Sequence, residues 1–282
     1  MYVLLRNVLC SIIVGFVCSL LLVSQCHAGA WTQAKGKFYE RFGVNRYFTD
    51  EQFDSNGNKE DFPSGGKYSE NYLSNYIEYG LTDRITLINA LYYKAAEKKD
   101  NETDVKADGL GDVDLGAKFK LYDGRLGVFS VQGLTKIPGD YDSSDTLPLG
   151  AGQYDFEVRL LYGLSLYRFL PGYCNFEIAH RWRMGDPADE IRYLIEFGVD
   201  ITKRLYGRVK LDGTLSMNNG NKLSVSGNPT VNNNFDLGKL DTALGYRLTD
   251  SWMLEVGYTP EIYGRNTSSG ATYSLAIAYQ FK

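Results

Sequence analysis

The chain has 282 residues, of which 44% are hydrophobic, 14% aromatic and 23% charged, with a formal net charge of −4; that length suits one large domain or two small ones. Near-average apolar content and only 4 cysteines exclude collagen-like, disulfide-rich and wholly disordered chains. The slight acidity gives no reason to expect a nucleic-acid partner. The unusual entries are 22 tyrosines and 30 glycines, against 7 prolines, 4 methionines and 2 histidines.

Residues 1–30 read as a secretory signal peptide. Arg6 is the only charged side chain, an apolar run follows from Val8 through Val23, and the segment ends in small residues around Ala28 and Ala30. Ala28 and Ala30 occupy the −3 and −1 positions of a cut before Trp31, and a cut after Ala28 is an alternative. Removing this leader takes Cys10, Cys18 and Cys26 with it. Cys174 then remains alone, so no internal disulfide holds the mature chain together.

After residue 30 no run approaches the length of an apolar membrane helix. The period is two. Val113, Leu115, Ala117, Phe119 and Leu121 alternate with Asp112, Asp114, Gly116, Lys118 and Lys120. Tyr154 through Leu166, Ile191 through Ile201, and Trp252 through Tyr258 repeat the pattern. Twelve strands are expected, near 35–48, 68–81, 84–96, 110–122, 125–138, 152–167, 172–184, 189–202, 204–217, 234–248, 251–264 and 270–282. Residues 125–138 and 234–248 do not keep one apolar register, which points to a bulge or a misplaced boundary there. Five short turns alternate with six mostly longer loops, near 49–67, 97–109, 139–151, 185–188, 218–233 and 265–269.

That rhythm predicts an all-β domain over residues 31–282: a closed antiparallel up-and-down transmembrane β-barrel of about twelve strands. Hydrocarbon offers the backbone no hydrogen bonds, so a sheet that crosses it must close on itself. Tyr79, Phe119, Tyr122, Tyr162, Tyr246, Trp252 and Tyr279 lie near strand ends, as aromatic girdles do. Outer-membrane lipid and lipopolysaccharide are the expected surroundings. In the last strand Tyr273, Leu275, Ile277, Tyr279 and Phe281 alternate with small and polar residues. This resembles the C-terminal signal read by the bacterial barrel-assembly machinery, although the chain ends on Lys282 and not on the aromatic residue.

The glycine-rich stretch Gly109-Leu110-Gly111-Asp112-Val113-Asp114-Leu115-Gly116-Ala117-Lys118 alternates like a strand and lacks the helix that a phosphate-binding loop requires. It is similar to the G-x-G-D-[VI]-x-[LV]-G-x-K strand of proteobacterial barrels described as XagA-like proteins or as transporters associated with the meta-pathway of phenol degradation. The opening Ala30-Trp31-Thr32-Gln33, with Lys35-Gly36, resembles the start of XagA-like proteins. The likeness covers the mature chain in architecture and some fifteen residues in motif. It implies an outer-membrane protein that passes small molecules, and it brings no catalytic residues.

Other motifs carry less. His180, the one histidine of the mature chain, shares a face with Phe176, Ile178 and Trp182 near the outer rim, and has Trp182 where barrel phospholipases have serine. With Cys174 it is too little for a zinc site. Neither an enzyme nor a cofactor is expected. Asp54-Ser55-Asn56-Gly57-Asn58 starts like a calcium loop, but Lys59 replaces the glycine, so it reads as a turn. Loops 49–66, 97–109 and 139–151 hold 13 acidic residues against 4 basic ones.

The inward face carries the functional expectation. Its candidates are Tyr39, Tyr72, Tyr76, Asp112, Asp114, Lys118, Glu157, Arg159, Glu177, Arg181, Arg192, Glu196, Asp200, Arg208, Lys210, Asp212, Asp241, Arg247 and Glu255. Such a face fits a passive channel for a small solute, aromatic or apolar. The other reading is a non-conducting surface or adhesion barrel that acts through its acidic loops.

Overall fold

The computed structural model describes residues 29–219 and 233–281. The expected leader up to Ala28, most of the 218–233 loop and Lys282 lie outside the described residues. The strands are β1 (Phe38–Thr49), β2 (Glu51–Phe53), β3 (Lys59–Asp61), β4 (Lys67–Thr82), β5 (Ile85–Lys99), β6 (Asp104–Leu110), β7 (Val113–Gly124) and β8 (Gly127–Ile137). They continue as β9 (Asp155–Ser165), β10 (Gly172–Arg183), β11 (Glu190–Asp200), β12 (Leu205–Ser216), β13 (Asp236–Arg247), β14 (Trp252–Arg265), β15 (Thr267–Ser268) and β16 (Ala271–Phe281).

Twelve of these form one ring. Hydrogen bonding runs β4-β1-β16-β14-β13-β12-β11-β10-β9-β8-β7-β5, and β5 returns to β4. Neighbours around the ring are antiparallel. The first and last barrel strands join in register from Phe38↔Phe281 to Phe48↔Ala271. No sheet edge is left within the wall, which is the condition for crossing hydrocarbon.

The outer surface is apolar in a way water would penalise. Phe156, Val158 and Leu160 on β9, Phe176, Ile178 and Trp182 on β10, and Leu254, Val256 and Tyr258 on β14 are all exposed. So are Leu73 on β4 and the outward row of the last strand, Tyr273, Leu275, Ile277 and Phe281. A continuous apolar belt of this kind belongs against lipid.

Both described chain ends lie at one end of the barrel, together with the tight connections at 83–84, 125–126, 166–171, 201–204 and 248–251. In outer-membrane barrels that end is periplasmic.

The expected loops at the other end are partly strand. Glu51–Phe53, Lys59–Asp61 and Thr267–Ser268 form a separate three-stranded sheet. The expected loop 97–109 instead continues the wall: β6 pairs with the upper half of β5, from Tyr93↔Leu110 to Lys99↔Asp104. β7 takes the lower half, ending at Ala90↔Asp114. Gly111, Asp112 and Val113 therefore oppose Leu91 and Tyr92, a one-residue bulge that turns Asp112 and Asp114 inward. The register breaks expected near 125–138 and 234–248 fall on the partner strands, between Lys120 and Tyr122 of β7 and opposite Gly238/Lys239 on β14.

Tyrosine and glycine abundance share a cause. A Cβ on Gly245 would lie 2.1 Å from the Tyr206 ring, on Gly213 2.1 Å from Tyr193, and on Gly198 2.3 Å from Tyr173. Each ring lies over a glycine of the neighbouring strand, covering backbone that lacks a side chain.

Leu160 is 57% exposed in the middle of β9. Leu160→Arg should cost about 2–4 kcal/mol of folding free energy in bilayers, read from urea titrations in phospholipid vesicles, whereas Gln132→Arg on the lumen side should cost less.

Candidate functional site in the lumen

Among the described residues, two large cavities lie in the interior. The lower, about 430 Å³, is lined by residues including Gly29, Glu78, Lys118, Asp200 and Arg247. The upper, about 560 Å³, is lined by residues including Glu70, Leu149, Gly150 and Glu261. Arg41, Tyr76, Tyr92, Asp114, Arg181, Arg192, Lys210, Asp212 and Asp241 line both. These residues form the waist where the two spaces meet.

The predicted inward residues are placed as follows. Tyr39, Lys118, Arg159, Glu177, Glu196, Asp200, Arg208, Arg247 and Glu255 line the lower cavity. Tyr72 and Asp112 line the upper one. Tyr76, Asp114, Arg181, Arg192, Lys210, Asp212 and Asp241 stand at the waist. Glu157 lies buried in the wall behind its arginines. Of the last-strand set, Tyr279 packs on Trp252 at 4.7 Å between ring centroids, on the outer surface.

Alternation brings opposite charges together within a strand and between strands one or two places apart in the ring. Glu157, with no side-chain exposure, meets Arg159 at 2.7 Å, Arg181 at 2.9 Å and Arg192 at 3.5 Å. Arg159 also reaches Glu177 at 2.5 Å. Farther round, Arg41 meets Glu255 at 2.7 Å, while Arg208 bridges Glu196 and Asp241 at 3.4 and 3.5 Å. Lys210 meets Asp241 at 3.1 Å. In this network carboxylates such as Glu157 and Glu196 lie deeper than the guanidinium groups that reach over them. Arg192 makes its ion pair with Glu157 at 3.5 Å, and among the described residues its Nε has no hydrogen-bond partner.

Four inward tyrosines gather on three neighbouring strands. Tyr39 on β1, Tyr72 and Tyr76 on β4 and Tyr92 on β5 face inward, with Tyr39–Tyr76 and Tyr72–Tyr92 centroids 6.5 and 6.4 Å apart. Counted around the twelve strands, β4 stands six positions from β11, and β5 six from β12. The tyrosine wall thus faces the wall that carries Arg192 and Lys210.

Chain segments narrow both ends. Below, Lys118 donates to the Gly29 carbonyl at 2.6 Å and meets Glu78 at 3.1 Å, and Ser130 donates to the Ala30 carbonyl. Above, the 138–154 loop folds inward: Leu147 and Leu149 are buried with Tyr47, Tyr68 and Ala96, and the Tyr141 hydroxyl donates to Asp112. The sequence reading missed these segments, along with Arg41, Glu78 and Tyr92.

His180 faces outward, 4.5 Å from Trp182 between ring centroids and 3.2 Å from Asp189. Asp54 accepts the backbone N–H groups of Asn58 and Asn56, which hold its carboxyl below the usual range.

No family model matches the chain, and no curated protein matches it. Among solved structures, an outer membrane channel from Pseudomonas putida F1 is 15% identical with a TM-score of 0.73, covering 92% of this chain and 100% of that one. The NanC porin is 9% identical at a TM-score of 0.49, covering 85% and 100%. The CymD monoaromatic hydrocarbon channel is 7% identical at 0.45, covering 88% and 90%. The first likeness shows the fold, a closed barrel of the bacterial outer-membrane type.

Removing the Glu157 charge leaves three arginines around a neutral amide. Glu157→Gln should destabilise the barrel by about 3 kcal/mol or more, measured by urea unfolding in detergent micelles.

Proposed function

We propose that the protein is a passive outer-membrane channel for a small planar solute with a polar edge, related to the XagA-like barrels whose motifs it resembles. The observation that carries this reading is the waist, where tyrosine faces oppose a charged wall between two cavities. Rings offer an apolar face, and the opposite wall supplies hydrogen-bond donors and acceptors to a polar edge. Twelve strands enclose less space than the sixteen of open porins, so conductance should be small. No residue of the lumen is given a catalytic role.

Planar-bilayer recordings should show small discrete steps. Arg192→Gln should shift the reversal potential in a salt gradient toward cation selectivity, because it removes a cation that lines both cavities. Absence of conductance, together with unaltered solute uptake in a deletion strain, overturns the proposal.

The acidic outer loops are proposed to bind divalent cations that bridge neighbouring lipopolysaccharide molecules. Replacing Asp50, Glu51, Asp54, Glu60 and Asp61 by their amides should lower the sensitivity of the barrel's membrane association to chelators; unchanged sensitivity excludes this role. Cell–cell aggregation that changes on loop deletion, with permeability unaffected, would instead favour the adhesion reading.

A further inference from the structure

The sequence offers two processing bonds, after Ala28 and after Ala30, with Cys26 or Ala28 respectively as the small residue at −3. The folded barrel treats them differently. Gly29 and Ala30 belong to its interior: Ala30 has no exposed surface and packs with Val128, Leu161 and Trp31. Gly163 leaves room for them, since a Cβ there would lie 2.7 Å from the Trp31 ring and 3.1 Å from the Ala30 methyl. A Cβ on Gly29 would lie 2.4 Å from the Asn175 side chain. Only glycine fits that position without strain.

We propose that the leader is removed between Ala28 and Gly29, so that the mature chain begins Gly29-Ala30-Trp31. This assignment rests on the exported-barrel reading. Hydrolysis of the Ala28–Gly29 amide by water leaves a carboxylate on Ala28 and an ammonium group on Gly29. Gly29 lines the lower cavity, where carboxylates such as Glu78, Glu177 and Glu196 stand among cations such as Lys118, Arg159 and Arg208, so the new ammonium group enters a wall of mixed charge.

The other outcomes conflict with the packing. A cut after Ala30 would remove the carbonyls that Lys118 and Ser130 donate to. Of the two acceptors of Lys118, the Gly29 carbonyl and Glu78, only Glu78 would then remain. A retained leader would join the chain inside a charged cavity and bring the apolar run Val8–Val23 with it.

The test is N-terminal sequencing and intact-mass measurement of the full-length gene product isolated from outer membranes. A chain starting Gly-Ala-Trp-Thr is expected. A start at Trp31 overturns the assignment and leaves the exported-barrel reading standing; a start at Met1 in membrane-inserted protein overturns both. Ala30→Leu should still be cut before Gly29, because residue 30 lies beyond the −3 and −1 positions of that bond. Since processing is read from the precursor, this variant remains informative even where the barrel folds poorly. Accumulation of uncut Ala30→Leu precursor overturns the assignment.

Discussion

Backbone hydrogen bonding in a solvent that offers none dominates this structure. A strand crossing hydrocarbon must find partners for its N–H and C=O groups on both sides. The ring meets that condition through β4–β5 at one point and β1–β16 at the chain ends. Once the sheet is closed, period-two alternation has one meaning: apolar side chains go to lipid, and every charge on a crossing strand goes to the lumen or to the rim.

The crowded interior is a consequence. With many charges confined to a narrow space, stability depends on pairing, and strand register supplies it. Glu157 stands opposite Arg181, and Glu196 opposite Lys210, in the ladders themselves. The Tyr206–Gly245 and Tyr173–Gly198 pairs solve a related problem of space. A ring over a glycine covers the wall while standing less far into the lumen than a ring over a larger residue.

Periodicity made the wall legible. The expected strands 172–184 and 189–202 correspond to β10 at Gly172–Arg183 and β11 at Glu190–Asp200. It supplied faces and approximate ends, but not ring positions or register. Asp114 and Arg192 were readable as inward, yet nothing in the sequence placed them at one waist. Loop regularity escaped for a different reason: β6 pairs with the upper half of a longer β5, and its alternation of charged and small residues resembles a polar loop. The entering segment, residues 29–33 with Ala30 and Gln33 buried, escaped because a short irregular stretch packed inside a barrel shows no period.

Ring position gives the alternating pattern functional content. Inward residues on adjacent strands touch and neutralise one another, whereas residues six strands apart face each other across space. Arg192 draws on both relations. Along the wall it meets Glu157, two strands away, at 3.5 Å, and Asp212 on the adjoining strand lines the same waist. Across the lumen stand Tyr72 and Tyr76, which bring aromatic faces and hydroxyls but no formal charge. A waist with charged groups on one side and tyrosine rings on the other is asymmetric, and under the proposed channel reading it would orient a solute as well as position it.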